Sequence, residues 1–218
     1  MPALSLFPLG AVVVPGERLS VRVTERRHLM LLRDLLRSRA RGDGSEFGVI
    51  AVRWGQEQGE ELPLSLHQVG CSARILEVKE SGNAYQLRAL GVQRFRLDGF
   101  DEGTRTPYLK GYVTWLTDRV RDPELVSVLA QRLREAISDY RDDLGLEEVE
   151  LPMESAELSH LAMRHVMLEQ HDRQRLLESR DVDARLLLAL QLTRRESTLQ
   201  RELGAFPGAY RPATPVAN

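Results

Sequence analysis

Leu4-Ser5-Leu6-Phe7-Pro8-Leu9-Gly10-Ala11-Val12-Val13-Val14-Pro15-Gly16 is the segment from which most of the fold can be inferred. It predicts a short apolar strand, a corner at Pro8-Leu9-Gly10, a β-branched strand over residues 11–14, and a turn at Pro15-Gly16. Valine favours the pleated backbone, whereas proline and glycine interrupt it. The segment therefore predicts a sheet and contains no pattern of catalytic side chains.

Composition indicates an ordinary globular protein. The chain has 218 residues, of which 42% are hydrophobic and 28% charged. This length allows one large or two small domains. The formal net charge of -2 does not give the chain as a whole the positive field of a nucleic-acid binder.

Cys71 is the single cysteine, which excludes an internal disulfide and a multi-cysteine metal site. Its position on a predicted strand favours a small core residue over a reactive thiol. We find no leader sequence and no apolar run of about 18 residues, the length that a membrane span needs. We therefore expect a soluble, cytoplasmic protein that does not contact a membrane.

Residues 1–117 alternate between apolar and polar side chains with the period of two that is typical of strands. A helix over residues 26–40 interrupts them, with its apolar face at Leu29, Leu32, Leu36 and Ala40. We predict about seven strands and a twisted β-barrel with this one inserted helix. The strands after the opening segment are predicted at residues 19–25, 47–54, 69–79, 84–90, 93–97 and 109–116.

Residues 118–203 have the 3.6-residue period of helices. Asp122-Pro123 predicts a helix start, because aspartate caps the first turn and proline is tolerated there. Further helices are predicted around residues 158–168, 174–179 and 182–203, and together they indicate an α-helical bundle. Residues 204–218 contain three prolines and are predicted to form a tail that is not helical throughout.

The sequence contains no recognisable catalytic motif. Lys79 and Lys110 are the two lysines, and neither follows a glycine-rich phosphate loop at a helix start. The histidines of the helical half are five and six residues apart, whereas zinc ligands on one helix face are three or four apart. We expect no catalytic residues, no metal and no cofactor. A hydrolase with a serine–lysine dyad or paired carboxylates remains a third alternative.

One basic stripe has a defined geometry. Arg26, Arg33, Arg37 and Arg41 lie within about 80° of arc on the inserted helix, at about 100° per residue. Such a face could bind RNA or another anion. No aromatic side chains alternate with these arginines, as single-stranded RNA binders require. We favour a solvated helix face and keep nucleic-acid binding as the alternative.

Exposed apolar side chains are the other means by which such a chain could bind a partner, because flexible polypeptides are held by adaptable hydrophobic contacts. The candidate polypeptide-binding residues are Trp54, Tyr108, Trp115, Met163 and Met167.

Several further segments share their order with a known family. Phe47-Gly48-Val49, Val69-Gly70, Gly91-Val92-Gln93-Arg94-Phe95 and Pro107-Tyr108-Leu109 follow the opening segment. Together they resemble the amino-terminal, substrate-binding domain of the Lon protease. The residues that we assign to its structural motif are Phe7, Pro8, Leu9, Gly10, Pro15, Gly16, Glu25, Arg27, Phe47, Gly48, Gly70, Gly91, Arg94 and Phe95.

Two segments refine the resemblance. Glu25-Arg26-Arg27-His28 matches the Glu-x-Arg-Tyr element of the family, with His28 in place of tyrosine. Residues 171–188 resemble the family's Gln-x-Leu-Leu-Glu helix and the long helix that follows it. The resemblance implies a PUA-like β-barrel and a helical bundle, without ATPase or protease domains.

The resemblance also implies a function, which is recognition of polypeptides without catalysis. The expected partners are unfolded or flexible polypeptides, together with a protease or chaperone. An adaptor, a chaperone-like holdase and a decoy for the protease all fit this description. The sequence does not indicate an oligomeric state.

Overall fold

The computed structural model describes residues 2–42, 44–54, 65–103, 105–203 and 216–217. These residues fall into two compact units. The first contains the described residues before Thr117 together with residues 216–217, and the second begins at Thr117. Residues 55–64 and the three tail prolines lie outside the described residues.

The chain is of the mixed α/β type, with one sheet and five helices. In chain order, the first unit contains β1 (Ala3–Leu9), β2 (Arg18–Val23), α1 (Arg26–Arg41), β3 (Glu46–Trp54), β4 (Ser65–Leu66), β5 (Val69–Ser81), β6 (Ala84–Phe100), β7 (Lys110–Trp115) and β8 (Val216–Ala217). The two strands predicted at residues 84–90 and 93–97 are one long strand, β6, which pairs with β2 and then with β7.

The pairings of five strands form a ring. β3 pairs with β1, β1 with β7, β7 with β6, β6 with β5, and β5 with β3. All of these pairs are antiparallel except β1 with β3, which is parallel. A PUA-like barrel is a more specific architecture than these pairings, and it stays a prediction.

Pro8 lies inside β1, although proline cannot donate to a strand ladder. Its position explains why it is tolerated. β1 pairs with β7 only through residues 3–5, whereas Pro8 pairs with Ile50 of β3 on the other side. The strand therefore continues through Pro8 and Leu9, the first two residues of the corner that the sequence predicts.

The strand predicted at residues 11–14 is wrong. Val12, Val13 and Val14 are buried but pair with no strand. The Val14 N–H donates to Glu17 Oε2 over 3.1 Å, and its carbonyl accepts the Glu17 N–H over 3.1 Å. These local bonds take the backbone groups that a ladder would use, while the valine side chains still fill the core.

The helix predicted at residues 26–40 is confirmed as α1, but its buried face is shifted. The buried residues are His28, Leu31, Leu32 and Leu35, whereas Ala40 is exposed and Leu29 and Leu36 are half-buried. The buried set has spacings of three and four, as a helix face requires. The first position of this buried face is a histidine. A search of the sequence for apolar residues alone therefore selects a neighbouring face of α1.

Two apolar clusters fill the first unit. The larger one joins α1 to β1, β2 and β5, and the smaller one contains Leu4, Leu6, Ile50, Phe95 and Val113. Two glycines give the Phe95 ring its space. A Cβ atom would lie 2.6 Å from Phe95 Cζ if placed on Gly70 and 2.9 Å if placed on Gly48. These motif glycines are therefore required by close packing.

The second unit contains α2 (Pro123–Asp143), α3 (Ser155–His165), α4 (Gln170–Glu178) and α5 (Val182–Leu203). Asp122 caps α2, since its carboxylate accepts the N–H groups of Glu124 and Leu125, as predicted. Across the described residues, no helix combines the length and the apolar character that a membrane span requires.

Helices α2 and α5 pack side by side and run in the same direction. Near their starts, the Arg121 N–H donates to Asp183 Oδ1 over 3.3 Å. Near their ends, Gln200 Nε2 donates to the Tyr140 hydroxyl over 3.1 Å. The chain returns from the end of α2 to the start of α5 through α3 and α4.

Candidate functional site

Three exposed aromatic side chains lie on two paired strands of the first unit. Phe100 is 46%, Tyr112 38% and Trp115 36% exposed. Phe100 belongs to β6, and the other two belong to β7. We call these three side chains the β6–β7 surface. Alternation along β7 puts Trp115 on the face of Val113 and Tyr112 on the opposite face, so the name refers to the strand pair and not to a single face. Tyrosine and tryptophan combine an apolar body with a polar group, a property that favours them at protein interfaces.

One side chain of the β6–β7 surface, that of Trp115, contacts the smaller core cluster. Trp115 is the cross-strand partner of Phe95, and their rings meet edge to face with centroids 6.4 Å apart. Phe95 is fully buried. The buried ring therefore supports the exposed one, which limits the rotamer entropy that Trp115 would lose on binding.

A β-bulge separates the two ends of this surface. Asp98 is the extra residue of β6, between the pairs that Leu97 and Gly99 make with β7. Its carboxylate accepts hydrogen bonds from Thr114 Oγ1 over 2.6 Å and from Arg96 Nε over 2.8 Å. These bonds, the one from Thr114 first, lower the pKa of Asp98. The ionised carboxylate thus holds the two strands together at the bulge.

The five candidate residues from the sequence are divided between the two units. Tyr108 and Met163 are buried, and Met167 is 41% exposed in the segment between α3 and α4. Trp54 is the last residue of β3, and its side chain lies outside the described part of the structure. Trp115 is the one that joins other exposed aromatic residues on the same strand pair.

Tyr108 has a structural role. Its hydroxyl donates to Asp34 Oδ2 of α1 over 2.9 Å. Burial, followed by this hydrogen bond, raises the pKa of Tyr108 to about 12. The residue links the segment before β7 to the helix, so we leave it out of the proposed surface together with Met163.

Phe100 and Tyr112 were not among the sequence candidates. Strand alternation places Tyr112 on the outer face, which sequence reasoning could have noted. The face on which Phe100 lies depends on the bulge at Asp98, after which Phe100 pairs with Gly111. Neither the bulge nor this pairing follows from the residues of β6 alone.

The four predicted arginines do lie together on one exposed side of α1. Arg26, Arg33, Arg37 and Arg41 are all exposed. Arg37 Nη1 lies 3.5 Å from Asp34 Oδ1, and Arg41 Nη2 donates to Ser38 Oγ over 3.2 Å. Such exposed contacts contribute little, so the guanidinium groups remain accessible to an anion.

The histidines are dispersed. His28 is buried against Phe7, His160 Nε2 lies 3.1 Å from Asp118 Oδ2, and the exposed His171 lies beside Asp172. Within the described ranges, no group of three or more histidine, cysteine or acidic side chains has the arrangement of a metal site. Burial raises the pKa of Cys71 to about 12, which places this thiol in the core as predicted.

Asp118, Ser159 and His160 lie close together in the second unit, but their bonds are those of a structural network. Ser159 Oγ donates to the Ala156 carbonyl over 2.6 Å and accepts from Arg185 Nε over 2.7 Å. Its proton is therefore not directed at His160, as nucleophilic catalysis would require. Lys79 Nζ is paired with Glu77 Oε1 at the surface, over 2.8 Å.

An open cavity of about 340 Å³ borders α2 in the second unit. Arg134 and Arg141 lie at its wall, and both donate to backbone carbonyls of the segment after the helix, those of Pro152 and Glu147. The remaining lining residues are Glu135, Ile137, Ser138, Asp142, Glu148, Val149 and Leu151. Acidic and basic groups are mixed in it, so its lining indicates no ligand.

Comparison with known proteins identifies the family of this chain. The model of one family, described as the ATP-dependent protease La (LON) substrate-binding domain, matches residues 3–195. Lon protease 2 of Sorangium cellulosum (strain So ce56) is 30% identical over 232 residues, which cover 95% of the chain and 28% of that protein. Lon protease 2 of Myxococcus xanthus is 26% identical, with 88% of the chain and 24% of that protein covered. The chain thus spans about a quarter of the length of these relatives.

Two solved structures are similar in fold. The Lon N-terminal domain protein of Xanthomonas campestris has a TM-score of 0.62 and 27% identity, over 88% of this chain and 98% of that one. The N-terminal domain of a Mycobacterium avium complex Lon protease has a TM-score of 0.64 with the same coverage. Its identity is 14%, so the second likeness concerns the fold alone.

Proposed function

Because the chain belongs to the family of ATP-dependent protease La (LON) substrate-binding domains, we propose that it is a non-catalytic polypeptide-binding module. It acts as an adaptor or a chaperone-like binder of unfolded or flexible segments, and its partners include a protease or chaperone. We also propose that residues 1–117 form a PUA-like barrel, residues 118–203 a helical bundle and residues 204–218 a tail. A cytoplasmic location is part of it, supported by the lone, buried Cys71.

The β6–β7 surface is the observation that carries this proposal. Its three aromatic side chains are exposed on one strand pair, and one of them, Trp115, rests on a buried ring, Phe95. Apolar contact is non-directional, so such a surface can hold many different sequences without reading any one of them. Aromatic side chains provide large contact areas at a low entropic cost.

The test is binding of a permanently unfolded protein. We would measure the fluorescence anisotropy of reduced, carboxymethylated and fluorescein-labelled lactalbumin with the full chain and with the double variant Phe100→Ser/Tyr112→Ser. We expect the variant to bind at least fivefold more weakly, because it removes two exposed aromatic contacts and leaves Trp115 on Phe95. Urea denaturation checks that both proteins are folded.

Leu187→Ser provides the matched control, since Leu187 is 45% exposed on α5 in the other unit. We expect it to bind like the parent chain. Equal affinity of the double variant and the parent would remove the β6–β7 surface from the proposal. If the parent chain and both variants all fail to bind the labelled lactalbumin, the proposal that the chain binds polypeptides is overturned.

RNA or anion binding through α1 is the second candidate function, favoured by the four exposed arginines on one side of that helix. A face of this kind supplies contacts to phosphates but no stacking platform. The two candidates use different elements of the first unit, so variants can separate them.

A further inference from the structure

Helix α2 exposes two apolar side chains to solvent. Val128 is 48% and Leu125 44% exposed. The residues that α2 buries in its own unit are Val126, Leu129, Ala130, Leu133, Ile137 and Tyr140. At about 100° per residue, Val128 lies on the side of the helix opposite to this buried face. Burial of Val128 and Leu125 against a partner would remove apolar surface from water, which favours association.

Two opposite charges flank Val128 at equal distances along α2. Glu124 precedes Val128 by four residues, Arg132 follows it by four, and both charged side chains are exposed. Residues four apart form one row on the surface of a helix, so these three lie within about 80° of arc. The exposed row of α2 therefore has an acidic end, an apolar centre and a basic end.

The order of this row defines the partner that fits it. The partner must present a basic group to Glu124, an apolar group to Val128 and an acidic group to Arg132. The same row of a second copy does so when the two helices run antiparallel and the two Val128 side chains face each other. Glu124 of each chain then lies beside Arg132 of the other. Rows of residues four apart pack against each other in the commonest class of helix contact, and a two-fold axis is the usual symmetry of a homodimer.

We propose that α2 is the contact of a homodimer, in which the rows of Glu124, Val128 and Arg132 pack antiparallel about a two-fold axis at Val128. The Leu125 side chains of both chains lie on the same side of this axis and extend its apolar centre. The contact is limited to about two turns of each helix, so the dimer is weak, with a dissociation constant on the order of tens of micromolar. This inference concerns α2 alone and does not rest on the proposed polypeptide binding.

Reversal of the two charges tests the proposal in the full chain. Sedimentation equilibrium over a concentration series would give the dimer dissociation constants of the parent, of Glu124→Arg and of Arg132→Glu. We expect the parent to dimerise reversibly and each variant to dimerise at least fivefold more weakly, because like charges then face each other at both ends of the row. An equimolar mixture of the two variants should form a heterodimer about as tightly as the parent forms its homodimer, since every pair across the axis is again oppositely charged.

Each part of this experiment can overturn the proposal. A parent chain that stays monomeric at about 0.5 mM, well above the expected dissociation constant, would contradict the dimer itself. Unchanged dimerisation of both single variants would assign the contact to another surface. A mixture that associates no better than the single variants would exclude the antiparallel register. Arg33→Glu is the control, because it makes the same change of charge at an exposed position of α1 and should dimerise like the parent. Urea denaturation checks that every variant is folded.

Cross-linking locates the two-fold axis. A short bis-maleimide should join two copies of Val128→Cys, because both thiols lie at the axis. Ser127→Cys is the matched control, since Ser127 is also exposed but lies about 100° away around the helix. We expect it to give at least fivefold less cross-linked dimer, and the parent chain reports any reaction of the buried Cys71. Equal yields from the two cysteine variants would contradict an axis at Val128.

Discussion

The imidazole ring of His28 stacks on the ring of Phe7, with centroids 4.2 Å apart and planes inclined by 21°. His28 is 2% exposed, and neither ring nitrogen has a hydrogen-bond partner within the described part of the chain. Burial, followed by the charge of Arg27, lowers its pKa to about 3. The family resemblance implies a tyrosine here, whereas this chain has a histidine, a side chain that gains a positive charge in acid.

Acid should therefore destabilise the first unit through His28. The unfolded chain binds a proton below about pH 6.5, whereas the folded chain does so only near pH 3, so stability is complete above 6.5 and is lost as the pH falls towards 3. The slope is about 1.4 kcal/mol per pH unit for one such group. Between pH 7 and pH 4.5, we expect the free energy of unfolding of His28→Phe, which keeps the ring stack, to fall by about 2 to 3 kcal/mol less than that of the parent chain.

Urea denaturation at a series of pH values provides the measurement. His165 also has a lowered pKa, about 4, and it is present in both proteins, so its contribution cancels. His171→Gln is the control, because His171 is exposed. Parallel pH profiles for the parent and His28→Phe would show that His28 is protonated in the folded chain as easily as in the unfolded one.

Gly70→Ala should destabilise the chain strongly, although it adds a single methyl group. The added Cβ would lie 2.5 Å from the Val49 carbonyl oxygen and 2.6 Å from Phe95 Cζ. The oxygen belongs to the backbone of a paired strand and cannot move aside, so we expect a loss of about 1 to 3 kcal/mol in the free energy of unfolding. Gly99→Ala on β6 is the control, since a Cβ there meets no atom within 4 Å. Equal urea midpoints for the two variants would contradict this account of the packing.

Arg185 should be the most sensitive charged residue of the second unit. It is fully buried, and its guanidinium donates to Asp118 Oδ1, Ser159 Oγ and the Ser179 carbonyl over 2.7 to 2.8 Å. Arg185→Met removes all three bonds and leaves their acceptors behind, which should cost about 3 kcal/mol. Arg194→Met, an exposed arginine on the same helix, should change stability by less than about 0.5 kcal/mol. Thermal and urea unfolding of the two variants give the comparison.

The four exposed arginines of α1 allow a prediction about RNA affinity and its dependence on salt concentration. We expect the parent chain to show no measurable affinity for single-stranded RNA at about 0.15 M salt, because no aromatic platform accompanies the arginines. Filter binding across a salt series checks this. The contrary result would be an RNA affinity that falls as the salt concentration rises. If the slope of log affinity against log salt concentration is smaller by about 0.7 for Arg33→Gln, phosphate contacts through this helix are established.

Elements with a strong local signal could be predicted from the sequence. α5 was predicted at residues 182–203 and is observed at Val182–Leu203, because a long apolar period defines a helix without help from its neighbours. The Asp122 cap is similar, since the cap bonds only to the next residues of its own helix.

Features that depend on a partner strand could not be predicted. Residues 11–14 have the composition of a strand, yet Val14 bonds locally to Glu17. The face on which Phe100 lies follows from a bulge that exists only relative to β7. Tyr108 and Met163 were candidate binding residues because aromatic and sulfur-containing side chains can contact a polypeptide. Such side chains serve equally well in a core, and whether they are buried is decided by residues distant in the sequence.

The ring of strand pairings has a consequence for the order in which the chain can fold during synthesis. β7 is the member that joins β1 to β6, and it ends at Trp115. Until the ribosome has released that residue, β1 has β3 as its only ring neighbour, and both lie far apart in the nascent chain. The first unit can therefore close only late in its own translation, while the helices after Thr117 are already being made.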